Sequence, residues 1–349
     1  MLKQRAIVYA DGLFNCADGK TAHGLVRFSK RFDVACVVDT TISEGDAGEI
    51  LDGVKRNIPL YNDLNRAYDK SDVTTFIIGA VSEGGVLSEG YDKAVIWALE
   101  NGLDIVSGLH QFISEDSVFV KLAKKHGCKI IDIRKMFRDY KRFYTGDIKN
   151  VKSKRIAILG TDSAIGKRTI AVMINEELKK KGRKADMIYT GQTGWMQGWP
   201  HGVVLDAMIN DFVAGGIEGA ILDSWRELKP DFMIIEGQGS LVHPFFPGGF
   251  EILTAGRIDS FILVDAPKRS HLDGFPDYPM PDPKRVVKIA QLLTEKPLIG
   301  IGLNKEKMDN SDIKNVKIKF KKIFRVPVTE PLSEGVGEIV DFLEELNAW

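Results

Sequence analysis

Arg155-Ile-Ala-Ile-Leu-Gly-Thr-Asp-Ser-Ala-Ile-Gly-Lys-Arg-Thr169 decides how this chain folds. Residues 155–159 form an apolar run that reads as a buried strand. Gly160 opens a turn, Gly166-Lys167 closes it, and an amphipathic helix is expected to about Lys181. A strand, a glycine-bounded loop and a lysine at a helix N-terminus make a site for phosphate. Backbone N–H groups point into such a loop, and the helix dipole adds partial positive charge. Lys167 would add a full charge. The bland reading is a glycine-capped turn with an exposed lysine.

Working outward, the same alternation recurs on both sides. Downstream, strands are expected at 185–189, 232–235, 260–264, 298–303 and 326–329, most of them followed by helices. A last helix is expected over 333–346, capped by Ser333, with Val336, Ile339, Val340, Leu343 and Leu346 on its apolar side. Upstream, strands are expected at 6–10, 34–39, 75–79, 104–107 and 129–133, with helices such as 90–101 and 116–126 between them. Near-continuous apolar runs of this kind fit parallel strands covered on both faces. The polar, aperiodic stretch 144–153 reads as a linker. The fold class is therefore α/β. A Rossmann-like parallel-sheet domain over residues 1–148 is followed by a P-loop NTPase-like domain over 149–349.

Composition narrows the partners. Lys+Arg and Asp+Glu are both 48, so no basic excess points to nucleic acid or an anionic membrane. Three scattered cysteines (Cys16, Cys36, Cys128) with no CxxC pair argue against disulfides and thiolate zinc. No apolar run is long enough to span a bilayer, and the start lacks a secretory h-region. A cytoplasmic protein with a small-molecule partner is expected. Neither nucleic acid nor membrane is, and a homo-oligomer is left open.

The chemistry is expected at strand ends. Gly160, Thr161, Asp162, Gly166, Lys167, Arg168 and Thr169 would hold the phosphate-bearing ligand. The common spacing puts four residues between the glycines and a hydroxyl directly after the lysine. Here five residues lie between, and Arg168 displaces Thr169 by one place. That weakens Thr169 as a Mg²⁺ ligand. Arg168 is either a second phosphate-facing cation or a solvated one. Glu236 ends an apolar strand ahead of Gly237-Gln-Gly239 and is a candidate metal ligand or base. His243, the only histidine within ten residues of Glu236, is a candidate base or orienter, or else a packed turn residue. Gln192 and Thr193, in the glycine-rich stretch 191–202, are candidate substrate contacts. Lys268, Arg269 and His271 open the proline-rich stretch 266–283, which reads as a cover over the site. These three would clamp a phosphate or carboxylate, or else form a solvated cluster. Asn304, at a further strand end, would read an adenine edge or simply cap a turn. In the N-terminal half, Asp39 ends the second strand, but no G-x-G-x-x-G precedes it, so NAD is not expected. Residues 79–85 form a plain turn or a second anion site.

Two resemblances rest on these motifs. Gly160-Thr-Asp-Ser-Ala-Ile-Gly-Lys167 and Glu236-Gly-Gln-Gly239 resemble the loop and strand-end motif of dethiobiotin synthetase and its relatives, where five residues between the glycines are normal. That resemblance implies Mg·ATP and an ATP-dependent ligase or kinase, with Glu236 and Thr169 as metal ligands. Arg168 departs from its pattern. Over nearly the whole chain, residues 160–169, 236–244 and Gly-Phe-Pro-Asp-Tyr-Pro at 274–279 resemble a two-domain family long catalogued as a domain of unknown function. That family includes a D-glutamate N-acetyltransferase. The resemblance implies acetyl-CoA as cofactor and a small acidic amino acid as acceptor; acetyl transfer then needs a base, and Glu236 or His243 would supply it. A nucleotide-sensing binding module is the third expectation.

Overall fold

The computed structural model describes residues 3–80, 83–88 and 90–346. The chain forms two compact units. One is Met1–Tyr140 with Gln192–Trp199 and Asp206–Met208; the other is Lys141–Gly191, Pro200–Leu205 and Ile209–Trp349.

In the first unit, β1 (Gln4–Tyr9), β2 (Phe32–Val38), β3 (Gly45–Asp46), β4 (Pro59–Tyr61), β5 (Thr75–Ile78), β6 (Asp104–Ser107) and β7 (Ile130–Asp132) form one sheet. Its order is β3-β4-β2-β1-β5-β6-β7, and every neighbouring pair is parallel except β3–β4. The long strands match the apolar runs because they are buried: Ile7, Val38, Phe76 and Ile105 pack in one core. β3 and β4 have only two and three residues, too few to give a period-two signal. The Asp39 carboxylate is buried and accepts from Gly12 N, Phe14 N, and Thr41 N and Oγ1, so it ties the loops after β1 and β2. Of the stretch 79–85, Val81 and Ser82 lie outside the described residues.

In the second unit, β8 (Lys154–Gly160), β9 (Ala185–Ile188), β10 (Phe232–Ile235), β11 (Ser260–Asp265), β14 (Leu298–Leu303) and β15 (Val328–Thr329) form an all-parallel sheet ordered β15-β14-β11-β8-β10-β9. A two-stranded hairpin, β12 (His271–Leu272) and β13 (Phe275–Pro279), lies inside the proline-rich stretch. β8 is central. It pairs with β10 on one side and β11 on the other, so the chain winds away from it in both directions. That is the switch point where α/β sheets hold ligands, at the carboxyl ends of the strands. Ala157 stands opposite Ile235, and Gly160 opposite Val264. The register thus brings the loop after β8, Glu236 and Asp265 to one edge.

Two expectations need correction. The stretch 144–153, expected as a linker, is part of the second unit. Thr145 N and Ile148 N both donate to the buried Glu218 carboxylate, and Ile148 and Val151 are buried against this unit. Residues 333–346 are not one helix. A short helix Pro331–Glu334 is capped by the Glu330 side chain and stopped by Gly335 at φ +77°. A second helix then runs over Gly337–Leu346. Among the described residues, no helix is long and apolar enough to cross a membrane.

Candidate functional site

The loop after β8 is shaped by its backbone. Gly166 takes φ +100° directly before the helix Lys167–Lys180, a conformation that costs a residue with a Cβ far more. Ala164, with no such freedom, sits at φ +50°. Local strain of that kind persists where the surroundings over-determine it, and it clusters at ligand-holding loops. The neighbouring crossing is tight too. A Cβ on Gly237 would stand 1.7 Å from Ile158 O, so only glycine lets the chain after Glu236 pass beside β8. The first-turn N–H groups of the helix point toward the loop, since they have no intrahelical partner. Lys167 is buried and folds back across the loop, its Nζ donating to Asp162 O at 2.5 Å. A full positive charge is thereby held inside the turn.

Asp162 is the internal clamp of this loop. It is fully buried. Its Oδ1 accepts from Ser163 N at 2.7 Å, and its Oδ2 accepts from Arg269 Nη1 at 2.8 Å and Asp273 N at 2.9 Å. Arg269 also donates to Ser163 O and, through Nε and Nη2, to Glu306. Ser163 Oγ donates to Asp273 Oδ2. The proline-rich stretch is therefore pinned onto the loop at Arg269 and Asp273. His243 joins from the other side. Its Nδ1 accepts from Phe245 N and Phe246 N, so the neutral ring carries its proton on Nε2, which faces Asp162 Oδ1 at 3.4 Å. Burial pushes His243 below the usual histidine range; Asp162 opposes this and the Lys167 charge adds to it.

Glu236 is equally committed. It is buried, with Oε1 2.6 Å from Arg168 Nε and Oε2 accepting from Thr190 N at 3.0 Å. Gln238 Nε2 donates to Thr190 Oγ1, which in turn donates to Glu236 O. Thr161 turns away from the loop and donates Oγ1 to Asp265 at 2.7 Å. Burial pushes the Asp265 carboxyl up to about 6, against the pull of that hydrogen bond.

The remaining expected residues scatter. Asn304 braces the loop: Nδ2 donates to Ile165 O, and Oδ1 accepts from Glu306 N. Lys268 pairs at the surface with Asp312, and the exposed side chain of His271 bonds only its neighbour Ser270 among the described residues. Thr169 is half-buried on the loop helix. Gln192 and Thr193 belong to the first unit and lie on a short helix, Gln192–Gln197, not in a flexible loop. Thr193 Oγ1 bonds Thr21 Oγ1, and Gln192 Oε1 accepts from Arg134 Nη2 at 3.3 Å. Thr190, Asp273 and Glu306 carry no signal in the sequence that marks them as part of the site. The bonds that tie them into the site, Thr190 to Glu236, Glu306 to Arg269 and Asp273 to Asp162, span 46, 37 and 111 residues, beyond any local pattern.

Fold and loop together make the second unit a P-loop domain at the switch point of a parallel sheet. The chain belongs to the DUF1611 family. The family's C-terminal P-loop domain matches residues 142–340, and its N-terminal Rossmann-like domain matches residues 41–136. Two curated relatives are each named D-glutamate N-acetyltransferase. The one from Tritonibacter scottomollicae is 30% identical over 77% of this chain and 80% of its own length. The one from a Pseudoalteromonas species is 31% identical over 78% and 81%. The crystal structure of a DUF1611 family protein from Anabaena variabilis superposes with a TM-score of 0.89 at 25% identity, over 98% of this chain and 100% of that one.

Proposed function

We propose that this protein is an acetyl-CoA-dependent N-acetyltransferase acting on a small acidic amino acid such as D-glutamate, with the loop at residues 160–167 seating a phosphate of coenzyme A. One observation carries the reading. The loop places two cations in sequence, Lys167 inside the turn and Arg168 beside Glu236, without a hydroxyl directly after the lysine. That arrangement suits a phosphate that is held, not one that is transferred. The names of the two relatives support the acyl-transfer class. In this reaction the substrate amine attacks the thioester carbonyl, the C–S bond breaks, and coenzyme A leaves as its thiol. The ammonium form of the amine gives up one proton overall. Glu236 and His243 act here as positioning residues. Each already has its polar atoms turned to loop or backbone partners.

Incubation with acetyl-CoA and a panel of D- and L-amino acids, with thiol release followed by a chromogenic reagent, tests the proposal. Thiol release with an acidic amino acid is expected. ADP formation from Mg·ATP without thiol release would move the protein to the dethiobiotin synthetase-like class. Lys167→Ala removes one hydrogen bond to a charged ligand, worth roughly 1.5–3 kcal/mol, or about ten- to a hundredfold in coenzyme A affinity.

A further inference from the structure

P-loop folds ordinarily seat a divalent cation between the hydroxyl after the lysine and a strand-end acid. Mg²⁺ demands oxygen ligands in near-octahedral geometry. The residues here do not fit that group. The position after Lys167 carries a guanidinium, and Thr169 lies one place further along the helix. The strand-end acid, Glu236, is 2% exposed at its side chain, with one oxygen against Arg168 at 2.6 Å and the other accepting a backbone N–H. A metal at Glu236 would have to displace a resident cation.

Resting on the phosphate-loop reading above, we infer that Arg168 takes the place of the divalent cation, so that this loop binds the diphosphate or 3′-phosphate of a CoA-type nucleotide without any metal. The geometry supports the substitution in three ways. Arg168 sits at the first turn of the loop helix, next to Lys167, with its guanidinium against the strand-end acid Glu236. Its contact with Glu236 runs through Nε and is an ion pair, not a well-directed hydrogen bond. Its terminal Nη1 and Nη2 have no hydrogen-bond partner among the described residues and are not sealed from solvent. A planar guanidinium anchored through Nε presents those two nitrogens as a fork that matches two phosphate oxygens. Glu236 supplies the counter-charge that fixes the fork. Thr190 and Gln238 hold Glu236 and its backbone in turn. The substitution also has a chemical consequence. A fixed guanidinium neutralises phosphate charge but cannot bridge and reposition oxygens during transfer as a metal ion does. The ligand class is therefore a phosphate that stays bound as a handle.

The test is calorimetric titration of coenzyme A into the full-length protein, once in EDTA and once in excess MgCl₂, alongside the Arg168→Ser and Arg168→Lys variants. Wild type is expected to bind equally in both buffers, within about twofold. Arg168→Ser restores a hydroxyl after Lys167 and opens Glu236. It should lose on the order of tenfold or more in EDTA and recover most of that in Mg²⁺. Arg168→Lys keeps a cation against Glu236, so it tests the idea even if the serine variant is unstable. It should bind without metal but more weakly than wild type, having lost the fork. Wild-type binding that appears only with Mg²⁺ would overturn this inference and leave the phosphate-loop reading standing. Arg168→Ser binding as tightly as wild type in EDTA would do the same. Absence of coenzyme A binding in both buffers would overturn both.

Discussion

Asp162→Ala should loosen the loop more than any single exposed change. Its carboxylate accepts three hydrogen bonds: one from an arginine whose side chain is 11% exposed and two from backbone N–H groups. Breaking a buried ion pair by removing one partner costs about 3–5 kcal/mol, because the surviving charge is left uncompensated. Arg269 is not wholly abandoned here, since Nε and Nη2 keep Glu306 at 3.1 and 2.7 Å. Half-buried Ser163 can also recover a water at its N–H. The low end, about 3 kcal/mol, is therefore expected. Urea denaturation followed by far-ultraviolet circular dichroism measures it as a lower midpoint at unchanged slope. Adding Arg269→Ala completes a double-mutant cycle. Partners in one network should show a coupling of roughly 1.5–3 kcal/mol, the size of a charge-assisted hydrogen bond. If Asp162→Ala lies within about 0.5 kcal/mol of wild type, or the two changes simply add, the clamp argument fails.

Other outcomes follow from the same geometry. Asp265 has a folded-state pKa raised from 3.8 to about 6, so folding favours its neutral form. Its cost is absent below about pH 4, grows as pH rises to about 6, and is complete above that, at roughly 3 kcal/mol for about two units. Asp265→Asn keeps an acceptor for Thr161 and should raise stability at pH 8 but not at pH 4, read from unfolding curves at the two pH values. His201 works in the opposite sense and at higher pH. Burial alone would lower it, but Asp186 at 2.6 Å and Glu227 at 3.0 Å overcome that and hold it above 6.5. The stability it contributes is full below 6.5 and is lost as pH rises through the raised value, and His201→Gln should flatten that decline in thermal melts. Gly237→Ala would set a Cβ 1.7 Å from Ile158 O and should cost about 3 kcal/mol or more. A variant with an unchanged melting temperature would contradict the close crossing.

The parallel strands were legible because buried strands write themselves as apolar runs. So was the loop, because Gly166 and Lys167 stand between such a run and a helix. Glu236 was located from the same logic, and residues 266–283 were marked as a cover from their prolines. What the residues do for one another was not legible. Asp162 reads as a ligand contact and Asn304 as an adenine reader or a turn cap; their side-chain partners, Arg269 and Ile165 O, lie 107 and 139 residues distant. Arg168 stood out as a break in spacing, but its pairing with Glu236 depends on how β8 and β10 lie side by side. The hairpin at His271–Pro279 was hidden because strands of two and five residues rich in proline carry no period. The stretch 144–153 read as a linker because its anchor, Glu218, lies 70 residues away from Ile148.

The most direct test of the central claim is a crystal structure of the protein with coenzyme A bound in metal-free buffer. A phosphate seated within the loop at residues 160–167, with Lys167 Nζ turned onto it and the Arg168 fork against its oxygens, is the predicted result. A phosphate bound elsewhere on the molecule, with Lys167 still folded onto Asp162 O, would contradict it.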